Sequence, residues 1–309
     1  MENALAEEWQ DIEAVKRMSR DQIKQIRLAP PTRAEARYLA DYYYARQKDR
    51  MTFAGQIRSA PEDEPHEALD YLKAQSEIME AETKKVLEIF AWNFEPRPGF
   101  RTGEWLLDVY GIGPVIAAGL IAHIDIERAR TAGSIHSFAG LVDPREQVWE
   151  KGQKRPWNAR LKTLCWHAGQ SFMKFHKREQ CYYGHLYRRR KDLEEAKNDE
   201  GLFADQAEWQ LEHKKYGKTT DAYKAYSQGK LPPAHIDARA RRIAVKRLLG
   251  DLQMRWYMDH YGAWPPKPYV FSHLGHKDLE LPPNFFRPGE SMTQLWNACD
   301  PPRDWSKEQ

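Results

Sequence analysis

Apolar residues recur with helical spacing along almost the whole chain. Thr32-Arg33-Ala34-Glu35, following Pro30-Pro31, is a capping-box signature and predicts a helix to about Ser59. After a turn over Ala60–Pro65, a second helix is predicted to about Trp92, with Leu72, Met79 and Val86 at heptad spacing and Leu69 and Phe90 nearby. Two such helices joined by a short turn form either an antiparallel hairpin or a dimerising coiled coil. Asn93–Gly99 carries two prolines and marks a hinge.

The next unit, 101–178, contains the most informative stretch, LLDVYGIGPVIAAGLIAHI at 106–124. Two apolar helical runs joined by Gly111-Ile112-Gly113-Pro114 have the pattern of a helix-hairpin-helix. The two glycines permit a positive φ and close approach, and Pro114 suits the first position of the following helix. Free amides at that helix start make a phosphate site that holds a backbone without reading bases. A short helix around Ser134–Leu141, a basic loop and a helix from Asn158 to about Lys177 follow. A long charged helix is predicted from Cys181 to about Tyr216, then a break at Leu231-Pro232-Pro233. The last helix, about His235–Tyr261, sets Val245, Leu248, Leu249, Leu252 and Trp256 on one face. Eight prolines in the 47 residues from Ala263 exclude regular structure there and predict a tail wrapped over the helices. The fold class is all-α. The organisation is a helical hairpin or coiled coil at 1–98, a helix-hairpin-helix domain at 99–262 with a helical insertion at about 180–232, and a Pro-rich tail at 263–309.

The net charge of +3 conceals an asymmetry, since residues 138–260 hold 25 Lys/Arg against 16 Asp/Glu while the remainder is net acidic. A basic half suits a polyanionic partner. Three scattered cysteines make no disulfide framework and fit a reducing cytoplasm. The acidic start MENALAEEWQDIE is no signal peptide, and the run Ile112–Ile124 is too short to span a bilayer. These features place the chain as soluble and cytoplasmic, with no membrane partner.

Residues 103–170 resemble the C-terminal domain of the insertion-sequence one-ten/one-sixteen/nine-oh-two transposases. The resemblance rests on Tyr110-Gly111-Ile112-Gly113-Pro114 with Ala117-Ala118, on Ser137-Phe138-Ala139-Gly140-Leu141, on Pro144-Arg145-Glu146, and on Asn158-Ala159-Arg160-Leu161-Lys162. Residues 235–257 and the helical pair at 32–92 resemble further parts of that family more weakly. The resemblance implies DNA transposition and recombination by a mobile element. Two departures accompany it. About 30 residues precede the helical pair, too few for the family's RuvC-like nuclease domain and its metal-binding acids. The family's nucleophilic serine follows the Pro-Arg-Glu segment, yet no Ser, Thr, Cys or Tyr occurs from Phe138 to Lys162. The resemblance therefore implies a transposase-derived nucleic-acid-binding protein whose own catalysis is in question and whose catalytic residues are unassigned.

The candidate contacts are the hairpin residues Gly111, Ile112, Gly113 and Val115, and the loop and helix start with Lys151, Lys154, Arg155, Trp157, Arg160 and Lys162. That loop holds five cations and no acid in 12 residues and suits a single-stranded or distorted backbone, with Trp157 stacking on a base or else lying in the core. On the last helix Arg239, Arg242 and Lys246, with Arg241 and Arg247, are either phosphate contacts or a solvated face. Arg188–Lys191 opens a helix that turns acidic at Glu194 and Glu195 and reads as solvated. Cys165, His167, His176, Cys181 and His185 invite zinc, but Cys165 and His167 point apart on a helix, and His273 and His276 form a lone pair beside Asp278. Neither metal nor cofactor is expected. The partner is DNA or structured RNA, with homo-oligomerisation through 32–92. The alternatives are an active recombinase completed by a partner or by Ser134, Ser137 or Ser171, a helical scaffold, and a glycosylase using Asp125 or Asp143.

Overall fold

The computed structural model describes residue 22 and residues 30–61, 66–142, 149–266 and 280–286. The acidic turn at Glu62–Glu64, Asp143, the Pro144–Glu146 segment, His273, His276 and most of the Pro-rich tail lie outside the described residues. Among those described there are ten helices and no strand, so the fold is all-α. They are α1 Arg33–Ser59, α2 Glu67–Trp92, α3 Thr102–Asp108, α4 Pro114–His123, α5 Ala132–Phe138, α6 Ala159–Phe175, α7 Tyr182–Asp199, α8 Ala204–His213, α9 Asp221–Ser227 and α10 Pro233–Tyr261. They divide into two units. One comprises residues 1–108, 112–128 and 259–261, and the other 109–111, 129–258 and 262–309.

In the first unit α1 begins at the capping box: the Thr32 hydroxyl accepts from the Glu35 amide while the Glu35 carboxylate accepts from the Thr32 amide at 2.7 Å. Seven residues separate α1 from α2, reaching at most about 25 Å, whereas a parallel return along α1 needs about 40 Å. The pair is therefore antiparallel, with Arg50 meeting Glu80 and Tyr42 meeting Met79 across it. The buried seam of α2 runs through Ser76, Glu80, Thr83, Leu87 and Phe90, displaced by one residue from the heptad read in the sequence, and Leu72 is exposed. Three of those positions are polar, which apolar periodicity cannot register. Arg50 makes the burial of Glu80 tolerable with a two-pronged contact at 2.7 and 3.4 Å.

Helix α4 buries every residue from Val115 to Ala122. It packs against α1, α2 and α3, and Ala36 and Ala40 are the residues that α1 buries. The Arg33 guanidinium donates to the carbonyls of Ile121 and Ile124, supplying donors to a helix end that lacks them. Thr102, fully buried at the start of α3, donates to Asp259 at 2.8 Å.

In the second unit α10 buries Ala240, Ala244, Val245, Leu248, Leu249 and Leu252, and α6 buries Leu161, Leu164, Cys165, Ala168 and Phe172. Phe172 stacks on Tyr183 at 5.1 Å, and the Tyr183 hydroxyl donates to buried Asp251, which Arg247 also contacts at 2.9 Å. The predicted single helix over 181–216 is two. After Asp199 the chain turns in a Schellman pattern, Gly201 donating to the Asn198 carbonyl and Leu202 to the Lys197 carbonyl. The α8–α9 segment has its own small core of Ala207, Tyr226, Leu231 and Ile236. Asn198 fastens it by exchanging two hydrogen bonds with the Leu231 backbone, at 2.8 and 3.0 Å. In the described piece of the tail Phe285 is fully buried and its carbonyl accepts from Arg255 at 2.9 Å.

His136 on α5 bonds through Nε2 to the Lys246 carbonyl at 2.9 Å, so that nitrogen carries a proton. Burial pushes its pKa down from 6.5 to about 4. The folded state therefore resists a proton that the unfolded chain accepts, and stability is lost as pH falls from about 6.5 to about 4. Asp251, raised to about 6 by burial, acts with the opposite sign, so the histidine is isolated by comparison with a variant. Urea denaturation should show wild type losing up to about 3 kcal/mol more than His136→Gln over that window. A difference that does not change with pH contradicts this assignment.

Candidate nucleic-acid interface

The turn between α3 and α4 is shaped by one glycine, not two. Gly111 has φ +95, which L residues rarely adopt, and a Cβ there would stand 3.3 Å from Phe172 and 3.4 Å from Ser171. Gly113 is extended at φ −85 and ψ 169, caps α4, and has open space where a Cβ would go. The sequence reading of a positive φ thus holds for Gly111 and fails for Gly113. The first hydrogen bond of α4 runs from the Ala117 amide to the Gly113 carbonyl at 3.0 Å. With Pro114 lacking an N–H, the Val115 and Ile116 amides are the first-turn donors without an intrahelical acceptor. Gly113 is exposed, while the side chains of Ile112 and Val115 are buried, so these two residues offer backbone only.

Within the second unit the turn residues Tyr110 and Gly111 dock through their carbonyls. Ser171 donates to Gly111, and the Cys181 thiol donates to Tyr110 at 3.7 Å. The Tyr110 ring meets Phe175 edge-on at 5.6 Å, and Lys174 lies over Phe175 at 5.4 Å. Lys174 went unnoticed in the sequence because only its helical spacing from Ser171 brings it to this place.

The basic loop is built on the other end of α6. Asn158 caps that helix, its side-chain oxygen accepting from the Arg160 and Leu161 amides at 3.0 and 3.1 Å, while its own amide donates to the Phe138 carbonyl. Trp157 lies against Gly140, where a Cβ would come within 2.7 Å of the indole. This close approach fixes the ring. Trp149 meets Trp157 at 6.2 Å, Arg155 lies over Trp149 at 5.2 Å, and Lys162 lies over Trp157 at 4.3 Å. Lys151, Lys154, Arg155, Arg160 and Lys162 are all exposed.

Trp157 and Lys162 border a cleft of about 250 Å³ with Trp166, Arg241, Arg242 and Val245. Among the described residues no carboxylate lines it. Desolvation, then the guanidinium groups of Arg242 and Arg155, hold the Lys162 pKa below its ordinary value. Cations crowded together raise the local positive potential. Trp166 is 56% exposed on this cleft and was missed in the sequence, where it sits one turn beyond Lys162.

The cations of α10 separate into distinct roles. Arg239 bonds Glu194 at 2.6 Å and Gln206 at 2.7 Å and lies over Phe203, so the contact expected of it toward a backbone is spent inside the fold. Arg241 pairs with Asp237 at 2.8 Å and Arg247 with Asp251. Arg242 reaches the cleft, while the Lys246 carbonyl serves His136. Gly111 and the basic loop are not brought together: they lie at the two ends of α6, whose residues 160 to 171 span about 16 Å.

The hydroxyls nominated as distant nucleophiles serve the backbone or its caps, Ser171 at Gly111 and Ser134 beside Thr131 at the start of α5. Ser137 is exposed. Cys165 is buried and its thiol is pushed up to about 12 by desolvation, which makes it a poor nucleophile or ligand. Among the described residues no three His, Cys, Asp or Glu side chains are grouped to hold a metal ion. Asp125 accepts from the Glu127 amide and stands 3.5 Å from Arg128.

Residues 103–184 match the model of the Transposase IS116/IS110/IS902 family. No curated protein and no solved structure matches the chain. The transposase match covers 82 of the 309 residues, from the start of α3 to the start of α7. It takes in the hairpin, the basic loop and α6, and leaves out α1, α2 and α10. No helix among the described residues is long and apolar enough to cross a membrane.

The two glycines of the α3–α4 turn should respond differently to a methyl group. Gly111→Ala is expected to lower stability by about 2 kcal/mol, through a disfavoured φ and contact with Phe172. Gly113→Ala should stay within about 0.5 kcal/mol of wild type. Equal losses in urea denaturation would contradict the geometry of the turn.

Proposed function

We propose that the chain is a transposase-related protein that holds nucleic acid, DNA in the first instance, by its phosphate backbone and without reading sequence. The observation that carries this reading is the cleft that Trp157, Lys162 and Arg242 border, with Lys162 over the Trp157 ring and Arg155 near enough to lower the Lys162 pKa. Lys151, Lys154 and Arg160 extend the positive surface, and the Gly113 end of α4 offers backbone amides of the kind that accept phosphate. Arg and Lys contacts to phosphate position a duplex or strand and carry no base information. Holding without cutting is supported by the absence of a hydroxyl or thiol from 138 to 162 and by the structural duties of Ser134 and Ser171. Exposed Tyr38, Met51, Tyr71 and Leu72 on α1 and α2 support self-association of the helical hairpin.

Fluorescence anisotropy with a labelled duplex of mixed sequence at increasing salt tests the reading. Three or four phosphate contacts give a slope of log K against log salt near −3 to −4, a fall on the order of 100-fold between 50 and 200 mM. Lys154→Ala with Arg155→Ala should reduce that slope by about 2 and weaken all sequences alike. Binding that ignores salt, or no binding at low salt, refutes the proposal.

A further inference from the structure

A second cleft, of about 380 Å³, opens beside the first in the same unit, bordered by Trp209, Tyr216, Tyr226, His235, Lys214 and Arg242. Ala238 and Arg242 line both clefts. These residues are four apart on α10 and so share one face of it, and the α10 residues lining the two clefts are offset by about one helical turn, about 6 Å. Arg242 thus stands where two clefts meet.

The second cleft repeats the chemistry of the first. Trp209 stacks on His213 at 4.5 Å, with Lys214 at 5.8 Å over the indole face. Tyr226 and His235 are hydrogen-bonded at 3.0 Å, and Tyr216 donates to Gln210 at 2.8 Å. Burial, then Arg239, Arg242 and Lys214, push His235 down to about 4, so at neutral pH it presents an uncharged ring. Among the described residues neither cleft is lined by a carboxylate. Flat aromatic surface in two clefts, separated by a guanidinium, matches a chain of alternating bases and phosphates. A duplex keeps its bases stacked inside and cannot fill both clefts without unpairing.

We propose that a single-stranded nucleic acid crosses α10 at Arg242, with one base in the Trp157–Trp166 cleft, the next in the Trp209–Tyr216 cleft, and the linking phosphate on Arg242. This rests on the nucleic-acid binding proposed above and adds the form of the strand. The uncharged His235 and the half-buried Tyr216 supply stacking surface beside Trp209; Lys162 and Lys214 flank the path of the backbone.

The test uses the full chain and three labelled probes of equal length: oligo-dT, oligo-U and a duplex. Trp209→Ala should weaken binding of single strands about tenfold, the scale of one stacked base, and leave duplex binding unchanged. Trp209→Phe, which keeps a stacking face, should restore single-strand affinity to within about twofold. A loss confined to oligo-dT assigns the clefts to DNA, and one confined to oligo-U to RNA. If Trp209→Ala binds single strands like wild type while Lys154→Ala with Arg155→Ala weakens them, the two-cleft track is wrong and the backbone-binding reading stands. A Trp209→Phe variant of native helicity that binds as weakly as Trp209→Ala also refutes the track. No binding of any probe by wild type overturns both.

Discussion

A helix without a polar face has to be enclosed, and α4 sets the terms for everything packed around it. Val115–Ala122 are buried without a break, so neighbours must cover it on all sides. Small side chains at Ala36 and Ala40 let α1 approach closely, and α2 and α3 close other sides. Enclosure also strands the last carbonyls of α4, which water would otherwise satisfy, and Arg33 meets two of them from the start of α1. At the other end Gly113 remains exposed.

A second constraint governs the cations. Guanidinium groups are numerous on α10, yet Arg239, Arg241 and Arg247 each stand against a carboxylate. Those pairs belong to the stability of the fold, because removing one partner leaves a buried charge unmatched. Around Trp157 the cations act on one another: Arg242 and Arg155 hold the Lys162 pKa below its ordinary value, after desolvation.

Much of the fold was legible in the sequence because capping and periodicity are local. The capping box at Thr32, the Asn158 cap, the paired helices and the hairpin all stand where the pattern put them. The seam of α2 was not legible, since Ser76, Glu80 and Thr83 are buried by virtue of partners on another helix. The division of the charged helix did have a local signal, Gly201 followed by apolar Leu202 and Phe203, which the run of charges around it outweighed. The cationic loop was visible as a run of charges. Its assembly with Trp166 and Arg242 into a cleft was not, because α6 and α10 supply those residues from points over 70 residues apart. Sequence likewise grouped Arg239 with Arg242, although one faces Glu194 and the other the cleft.

The transposase match covers the hairpin, loop and α6. The central claim is that nucleic acid lies on the Trp149–Lys162 surface. Zero-length ultraviolet crosslinking of the full chain to mixed-sequence nucleic acid, with mass-spectrometric identification of the adducted peptides, reads that contact directly. The account predicts adducts concentrated on peptides containing Trp157 and Lys162. Adducts confined to α1 and α2, or none under conditions where the protein is folded, would contradict it.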